Sequence, residues 1–400
     1  MSGERSSPFS AVQRLPEIGD GGPQCRGKRT RSLLQPNTCL RIVECGGEGR
    51  PDLVEDAGQS DQGFLDLCLG GPVLGRTLAV EPAKMVAERR ELGRDIAPGI
   101  CRSLRRRIIL VRLHLLDGTY ELFRAHYGRK DTVTGPDGSD LKATLGIMES
   151  TLALLREPGV THLAASFDTV IESFRNVMFP AYKSSAGMDP DLLAQFPTAE
   201  DALESLGIVV WRNIEFEADD AIATAAIRWV EDVEQVVIAT PDKDLNQLVI
   251  GDRIVTYNRR EQKMLDESAV VEKFGIHPES IPDYLALVGD TADGVPGLPG
   301  WGAKSASVVL AHYPRLELIP VSAADWEVAV RGADKLAATF KDNQELAYMY
   351  RELTTLRLDV PLVETLADLE WKGVPRSRFE QFCSTVGFDP DSIRVHRWAD

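Results

Sequence analysis

The chain has 400 residues, with 43% apolar and 26% charged side chains and 61 Asp plus Glu against 45 Lys plus Arg. That length suggests two or three folding units of ordinary soluble composition. No apolar run reaches the roughly 18 residues of a membrane span, and MSGERSSPFS lacks the basic-then-apolar order of a secretory leader.

Six cysteines, Cys25, Cys39, Cys45, Cys68, Cys101 and Cys383, show no C-x-x-C spacing. A zinc site or thioredoxin-like motif is not expected, and the default is a reduced, cytoplasmic protein. The net charge of −16 is uneven: residues 1–107 hold 17 basic and 14 acidic side chains, leaving 28 and 47 for the rest. So acidic a body argues against nucleic acid as a partner unless the carboxylates converge on metal ions.

Residues 1–107 have no sustained period; Gly, Pro, Ser and Arg interrupt every apolar run, as in GDGGPQCRGKR. They read as a disordered extension. The run Arg105–Arg107 reads as a solvated linker, ahead of the alternative of a nucleic-acid contact. Order is predicted from Ile108, where IILVRLHLL forms a first strand ending at Asp117-Gly118. TYELFRAHYG is a short helix and 139–156 a long amphipathic one. HLAASFD is a second strand ending at Asp168, residues 170–188 are irregular, and 190–206 is helical. GIVVW is a third strand and 216–230 a helix.

VVIATPDKD then reads as a buried parallel strand stopped by Pro241, which cannot donate to a ladder. RIVTYN follows as a further strand. Strands alternating with helices predict a mostly parallel α/β sheet flanked by helices, over 108–265. From 266 to 400 the pattern is helical, divided by Pro278, Pro282, Pro296 and Pro299.

Acid stands at every predicted strand end. Asp117 follows the first strand, Asp168 the second, Glu217, Asp219 and Asp220 open the helix after the third, and Asp242 and Asp244 follow the fourth. Asp290 and Asp293, in GDTADG, are spaced to share a helical face. Open α/β sheets place their sites at these ends. Each cluster alone has a local explanation: a helix start for Asp219 and Asp220, a turn for Asp117. Nine converging carboxylates need cations, because like charges raise one another's pKa. Hard divalent ions, Mg²⁺ or Mn²⁺, are the expected partners, and two such ions suit phosphodiester hydrolysis.

A second signal is GLPGWG, with Gly297, Gly300 and Gly302, followed by Lys304. A glycine-rich turn of this kind exposes amides that can hold a phosphate, as in a helix-hairpin-helix module gripping duplex backbone.

Taken together, DGTYELFRAH, SFD, SFR…YK, FEADD, TPDKDL and GDTADGVPGLPGWGAKSA resemble, in order and spacing, the 5′–3′ exonuclease/flap endonuclease family over about 108–390. The resemblance implies a flap-endonuclease-like α/β core with a helix-hairpin-helix subdomain, two divalent ions on the nine acids, and a monovalent K⁺ at the hairpin. It implies that Lys183 and Arg175 steer the scissile phosphate, and that the partner is DNA with 5′ ends, flaps or nicks, bound by a monomer without a membrane. Three departures stand out. No second basic residue follows Lys183 in YKSSAGMD, the segment 174–190 is short for a long helical arch, and Gly294 replaces a common Asn. No polymerase domain follows Asp400, so the expectation is a free-standing nuclease. The alternatives are a PIN-type ribonuclease, which would not need the 297–302 hairpin, and a DNA-binding protein without catalysis.

Overall fold

The computed structural model describes residues 111–399, so the expectations for 1–107 and for the start of the first strand lie outside the described residues. Six strands form one sheet: β1 (Arg112–Asp117), β2 (His162–Asp168), β3 (Val209–Asn213), β4 (Gln235–Ala239), β5 (Ile254–Asn258) and β6 (Lys263–Leu265). Their order is β3-β2-β1-β4-β5-β6. The first five are parallel and β6 pairs antiparallel with β5. β6 was not expected from the sequence. Three residues carry no period, and only pairing with β5 makes them a strand.

The LHLL run of β1 is apolar because both its faces are covered. Leu113 and Leu115 pack towards one side, with α6 (Ala218–Trp229). Leu116 packs towards the other, with α1 (Gly118–Gly128), α2 (Lys142–Leu154) and α5 (Phe196–Ser205). The α2 helix is shorter than 139–156, and the helix expected over 190–206 is broken into α4 (Pro190–Leu193) and α5. Pro197 in the first turn of α5 and the turn at Gln195 account for the break. The Gln195 side chain accepts from the Ala143 and Thr144 amides at 3.0 and 3.1 Å, capping α2, whose own N-cap Leu141 offers no side-chain acceptor.

A separate apolar cluster holds the helical part: α7 (Glu267–Phe274), α8 (Ile281–Val288), α9 (Ala303–His312), α10 (Ala333–Asp342) and α11 (Gln344–Thr354). After α11 the chain returns to the sheet. Leu356, Val360, Leu362 and Leu369 join the α6 face. Trp371 and Phe379, the latter on α12 (Arg376–Val386), join the opposite face. The sequence-level division at 265/266 does not convey this return, because segment 355–375 has no periodicity and its place is set by contacts far away in sequence.

Between β2 and Pro190 the only helix is α3 (Phe174–Met178), among the described residues. The expected irregular segment is therefore one helical turn plus loops, with no long arch.

Candidate metal centre and active site

The site is built where the parallel strands end. Asp117 terminates β1 and caps α1: its Oδ1 accepts from the Tyr120 amide at 2.8 Å and its Oδ2 from the Thr240 hydroxyl at 2.8 Å. Asp168 terminates β2; its Oδ1 accepts from the Ala218 amide at 2.6 Å, and its own amide donates to Thr119 at 2.8 Å. Glu217 precedes α6, and its Oε1 accepts from the Ser173 hydroxyl at 2.6 Å. Asp242 follows β4, and its Oδ1 accepts from the Asp244 amide at 2.9 Å.

Lys183 reaches into this group. Its ammonium lies 2.8 Å from Glu217 and 3.5 Å from Asp168. Tyr182, beside it, donates to Glu217 at 3.4 Å.

A second group of acids is formed by Asp244, Asp290 and Asp293. Single carboxylate oxygens of Asp244, Asp290 and Asp293 lie within 4.8 Å of one another. Here the expectation of a shared helical face is corrected. The α8 helix stops at Val288, and Asp290 and Asp293 sit on a turn closed by reciprocal backbone bonds between Asp290 and Val295, each 2.8 Å. Lys243 pairs with Asp290 at 2.8 Å. The turn is held against the Lys183 segment, whose amide donates to the Asp293 carbonyl at 3.0 Å. Gly294 explains its own departure from the family pattern. Its φ is +74°, and a β-carbon there would lie 2.6 Å from the Ala181 carbonyl, so this close approach excludes a side chain.

The electrostatics follow from burial. Desolvation raises Asp117 to about 7, aided by the charges of Asp242 and Asp168. Asp293 is likewise raised to about 7, by burial first and by Asp242, Glu217 and Asp290, with Lys183 opposing. Asp168 is raised, and Asp219 and Asp244 well above the usual range, with burial the largest cause in each. Glu217 differs: burial pushes it up, but Lys183 and Arg175 outweigh that and leave it lowered. For Lys183, burial opposes the charge and the surrounding acids Asp168, Glu217 and Asp293 override it. The Oδ1 of Asp244 is buried with no hydrogen-bond partner. An all-oxygen donor set, carboxylates held at raised pKa and one orphaned buried oxygen are together the environment a hard divalent cation relieves.

Two expected site residues, Arg175 and Asp220, are bonded to each other beside Glu217. Arg175 is 1% exposed, and all its N–H groups are used inside the protein. Its terminal nitrogens donate to both oxygens of Asp220 at 2.7 Å, one of them lies 3.1 Å from Glu217, and the remainder donate to the carbonyls of Leu353 and Thr355. This corrects the reading of Arg175 as a phosphate-steering residue: a guanidinium with no free donor cannot hold a substrate phosphate. Asp220, fully buried, also accepts from the Glu217 and Arg357 amides at 3.0 and 2.9 Å. Its oxygens are shared between Arg175 and these amides, and it is not one of the three acids whose oxygens gather at Asp244, Asp290 and Asp293.

Thr240, Thr119, Ser173, Tyr182 and Lys243 orient or neutralise the acids and were given no role from the sequence. Lys243 was within sight, between the two aspartates of TPDKD. The hydroxyls were not, because their partners are 35 or more positions away.

The hairpin links α8 to α9. Gly297 lies against the backbone of Val288 and Gly289, Gly300 has φ +84° with open space at its β-carbon position, and Gly302 caps α9. Lys304 is exposed in the first turn of α9.

A strand-end acid cleft on a parallel sheet, with a hairpin in a helical domain beside it, defines a class, and comparison with known proteins places the chain within it. The family description "5′-3′ exonuclease, N-terminal resolvase-like domain" matches residues 112–275, and "5′-3′ exonuclease, C-terminal SAM fold" matches 276–377. The chain belongs to the 5′-3′ exonuclease family. It is 38% identical over 290 residues to DNA polymerase I of Mycobacterium tuberculosis, covering 71% of this chain and 31% of that protein. It is 32% identical over 270 residues to the 5′-3′ exonuclease of Aquifex aeolicus, covering 67% of this chain and 90% of that one. The chain thus spans about a third of the length of the polymerases it matches. In fold it is similar to a bacteriophage T5 5′-exonuclease with bound zinc, at TM-score 0.51, 17% identity, and coverage of 70% of this chain and 99% of that one.

Proposed function

We propose that this chain hydrolyses DNA phosphodiesters near 5′ ends, nicks or flaps, as a 5′–3′ exonuclease and flap endonuclease dependent on two divalent ions, Mg²⁺ or Mn²⁺. The observation that carries this reading is the gathering of acids at one end of the sheet: Asp117, Asp168, Glu217, Asp219, Asp242 and Asp244 after the strands, with Asp290 and Asp293 brought beside Asp244 by the turn that follows α8. Divalent ions bound there would supply Lewis-acid stabilisation of phosphoryl charge and lower the pKa of a bound water. The same fold in a T5 flap endonuclease solved in a complex with DNA and metal ions supports the DNA reading, at TM-score 0.50 and 17% identity.

The protein's own residues do the rest. Thr240 and the Ala218 amide hold the Asp117 and Asp168 carboxylates in place before substrate arrives, and Thr119 anchors the Asp168 main chain, so little reorganisation remains for the reaction. Lys183, partly exposed at the cleft, places a fixed positive charge where an incoming phosphodiester meets the acids. Water adds across one P–O bond; one product keeps the phosphate and the other leaves with the hydroxyl. The hairpin around Gly297, Gly300, Gly302 and Lys304 lies in the helical domain and is assigned to duplex backbone.

The test compares 5′-flap, nicked and blunt DNA and matched RNA in Mg²⁺, Mn²⁺ and EDTA. DNA cleavage that EDTA abolishes is expected. Faster cleavage of RNA, or cleavage that survives EDTA, overturns the reading.

A further inference from the structure

The last turn of α11 is held from two sides, by Arg175 of α3, which also holds Asp220 at the start of α6, and by Gln247 of the turn that carries Asp244. From one side Arg175 donates to the Leu353 carbonyl at 2.8 Å and the Thr355 carbonyl at 3.1 Å, while its other N–H groups hold Asp220 and approach Glu217. Asp220 itself receives the Arg357 amide at 2.9 Å. From the other side comes Gln247, on the 3₁₀ turn Asp244–Leu248. Its Nε2 donates to the Thr354 carbonyl at 2.9 Å and to the Asp244 carbonyl at 2.8 Å, and its Oε1 accepts from the Leu356 amide at 3.1 Å. The carbonyls at a helix C-terminus lack intrahelical partners and carry partial negative charge, so a buried guanidinium and a carboxamide are suitable partners. The same turn is tied to α8, since the Thr354 hydroxyl donates to the Pro282 carbonyl at 3.2 Å. The α8 helix runs directly into the Asp290 turn and the hairpin.

These bonds oppose a specific force. Glu217, Asp219 and Asp220 open α6 and Asp242 and Asp244 follow β4, and like charges gathered at one end of a sheet repel one another. Loops that carry such acids tend to spread apart. We propose that the last turn of α11 is a brace that sets the spacing of the two loops, with Arg175 and Gln247 as positioning residues acting through Glu217 and Asp244. The brace makes the metal site depend on the docking of the helical domain that the proposed function assigns to duplex binding. The proposal rests on that reading only in taking the acids as cation ligands.

The test uses the full chain and Mn²⁺ alone. Gln247→Leu keeps side-chain bulk and removes three hydrogen bonds; Arg175→Lys keeps the charge and removes the fork. Mn²⁺ binding is followed by the electron paramagnetic resonance signal of free Mn²⁺, with far-ultraviolet circular dichroism to show that each variant is folded. Weakening of Mn²⁺ binding by about tenfold is expected in Gln247→Leu, the scale found when a group orienting a metal ligand is removed. In cleavage of a 5′-flap DNA, the metal requirement should rise in parallel, with KM for DNA unchanged and turnover recovered at high Mn²⁺. Unaltered Mn²⁺ affinity in a folded Gln247→Leu overturns the brace, whatever the fate of Arg175→Lys. Because the titration contains no DNA, its outcome is independent of whether the wild-type chain cuts DNA.

Discussion

Lys183 is the residue whose surroundings say most about how the cleft meets an anion. It is held between Glu217 and Asp168 and remains partly exposed, so it can face a substrate without being free of the site. Lys183→Ala should lower the single-turnover rate on 5′-flap DNA by on the order of tenfold to a thousandfold, as for loss of one electrostatic stabiliser. Binding measured in Ca²⁺ should change far less. An unchanged chemical step would make the lysine a structural counter-ion only. Asp242 interacts with acids of both groups, and Asp242→Asn should cut turnover strongly while duplex binding persists. Full activity of that variant in Mg²⁺ would remove it from the metal site.

His114 offers a residue-scale test away from the cleft. It sits within β1, and burial, its largest influence, lowers it to about 4 from an ordinary 6.5. The native state therefore resists a proton that the unfolded chain accepts. The stability contribution is complete above pH 6.5 and is lost as pH falls from 6.5 towards 4. His114→Gln should flatten the decline of stability across that window by up to one proton, read from denaturant midpoints at pH 7, 6, 5 and 4. A decline as steep as in the wild type would show that His114 does not drive it.

Among the elements, the hairpin between α8 and α9 is the most exposed to a decisive substitution. Gly300 adopts φ +84°, a conformation that side chains rarely take, although space around it is open. Gly300→Val should therefore reshape the turn locally, weaken duplex binding and leave the sheet intact. Equal affinity for wild type and variant across a salt series would count against a phosphate contact there. The acids of the GDTADG turn carry a related lesson. Their spacing of three suggested a helix, yet Gly289 ends α8 and a turn presents them instead. The carboxylates meet because the Asp290–Val295 bridge folds them towards Asp244, a long-range arrangement that spacing alone does not encode.

For the whole molecule, every strand and helix of the described fold begins at or after Arg112. A chain starting near Arg105 should fold and cleave as well as the full chain, judged by circular dichroism and flap cleavage. Insolubility of the shortened chain would show that residues before 105 contribute to the fold. The return of 355–399 to both faces of the sheet means that a cut at 355 should fail, since Leu356, Trp371 and Phe379 would leave apolar surface uncovered.

Strand existence, the parallel sheet and the placing of acids at strand ends were legible from the sequence, because buried strands are short apolar runs and their ends are marked by Asp, Gly and Pro. These are local properties, written within ten residues. What the tertiary structure decided is which charged residues pair with one another and which face the cleft. Arg175 and Asp220 look like site residues in the sequence, and folding joins them to each other and to the end of α11. Lys183 looks no different from Arg175 as a charged residue in an irregular segment, yet it faces the cleft. The distinction rests on partners 45 to 180 positions away, and hydrogen-bond satisfaction at that range is a property of packing rather than of any stretch of sequence.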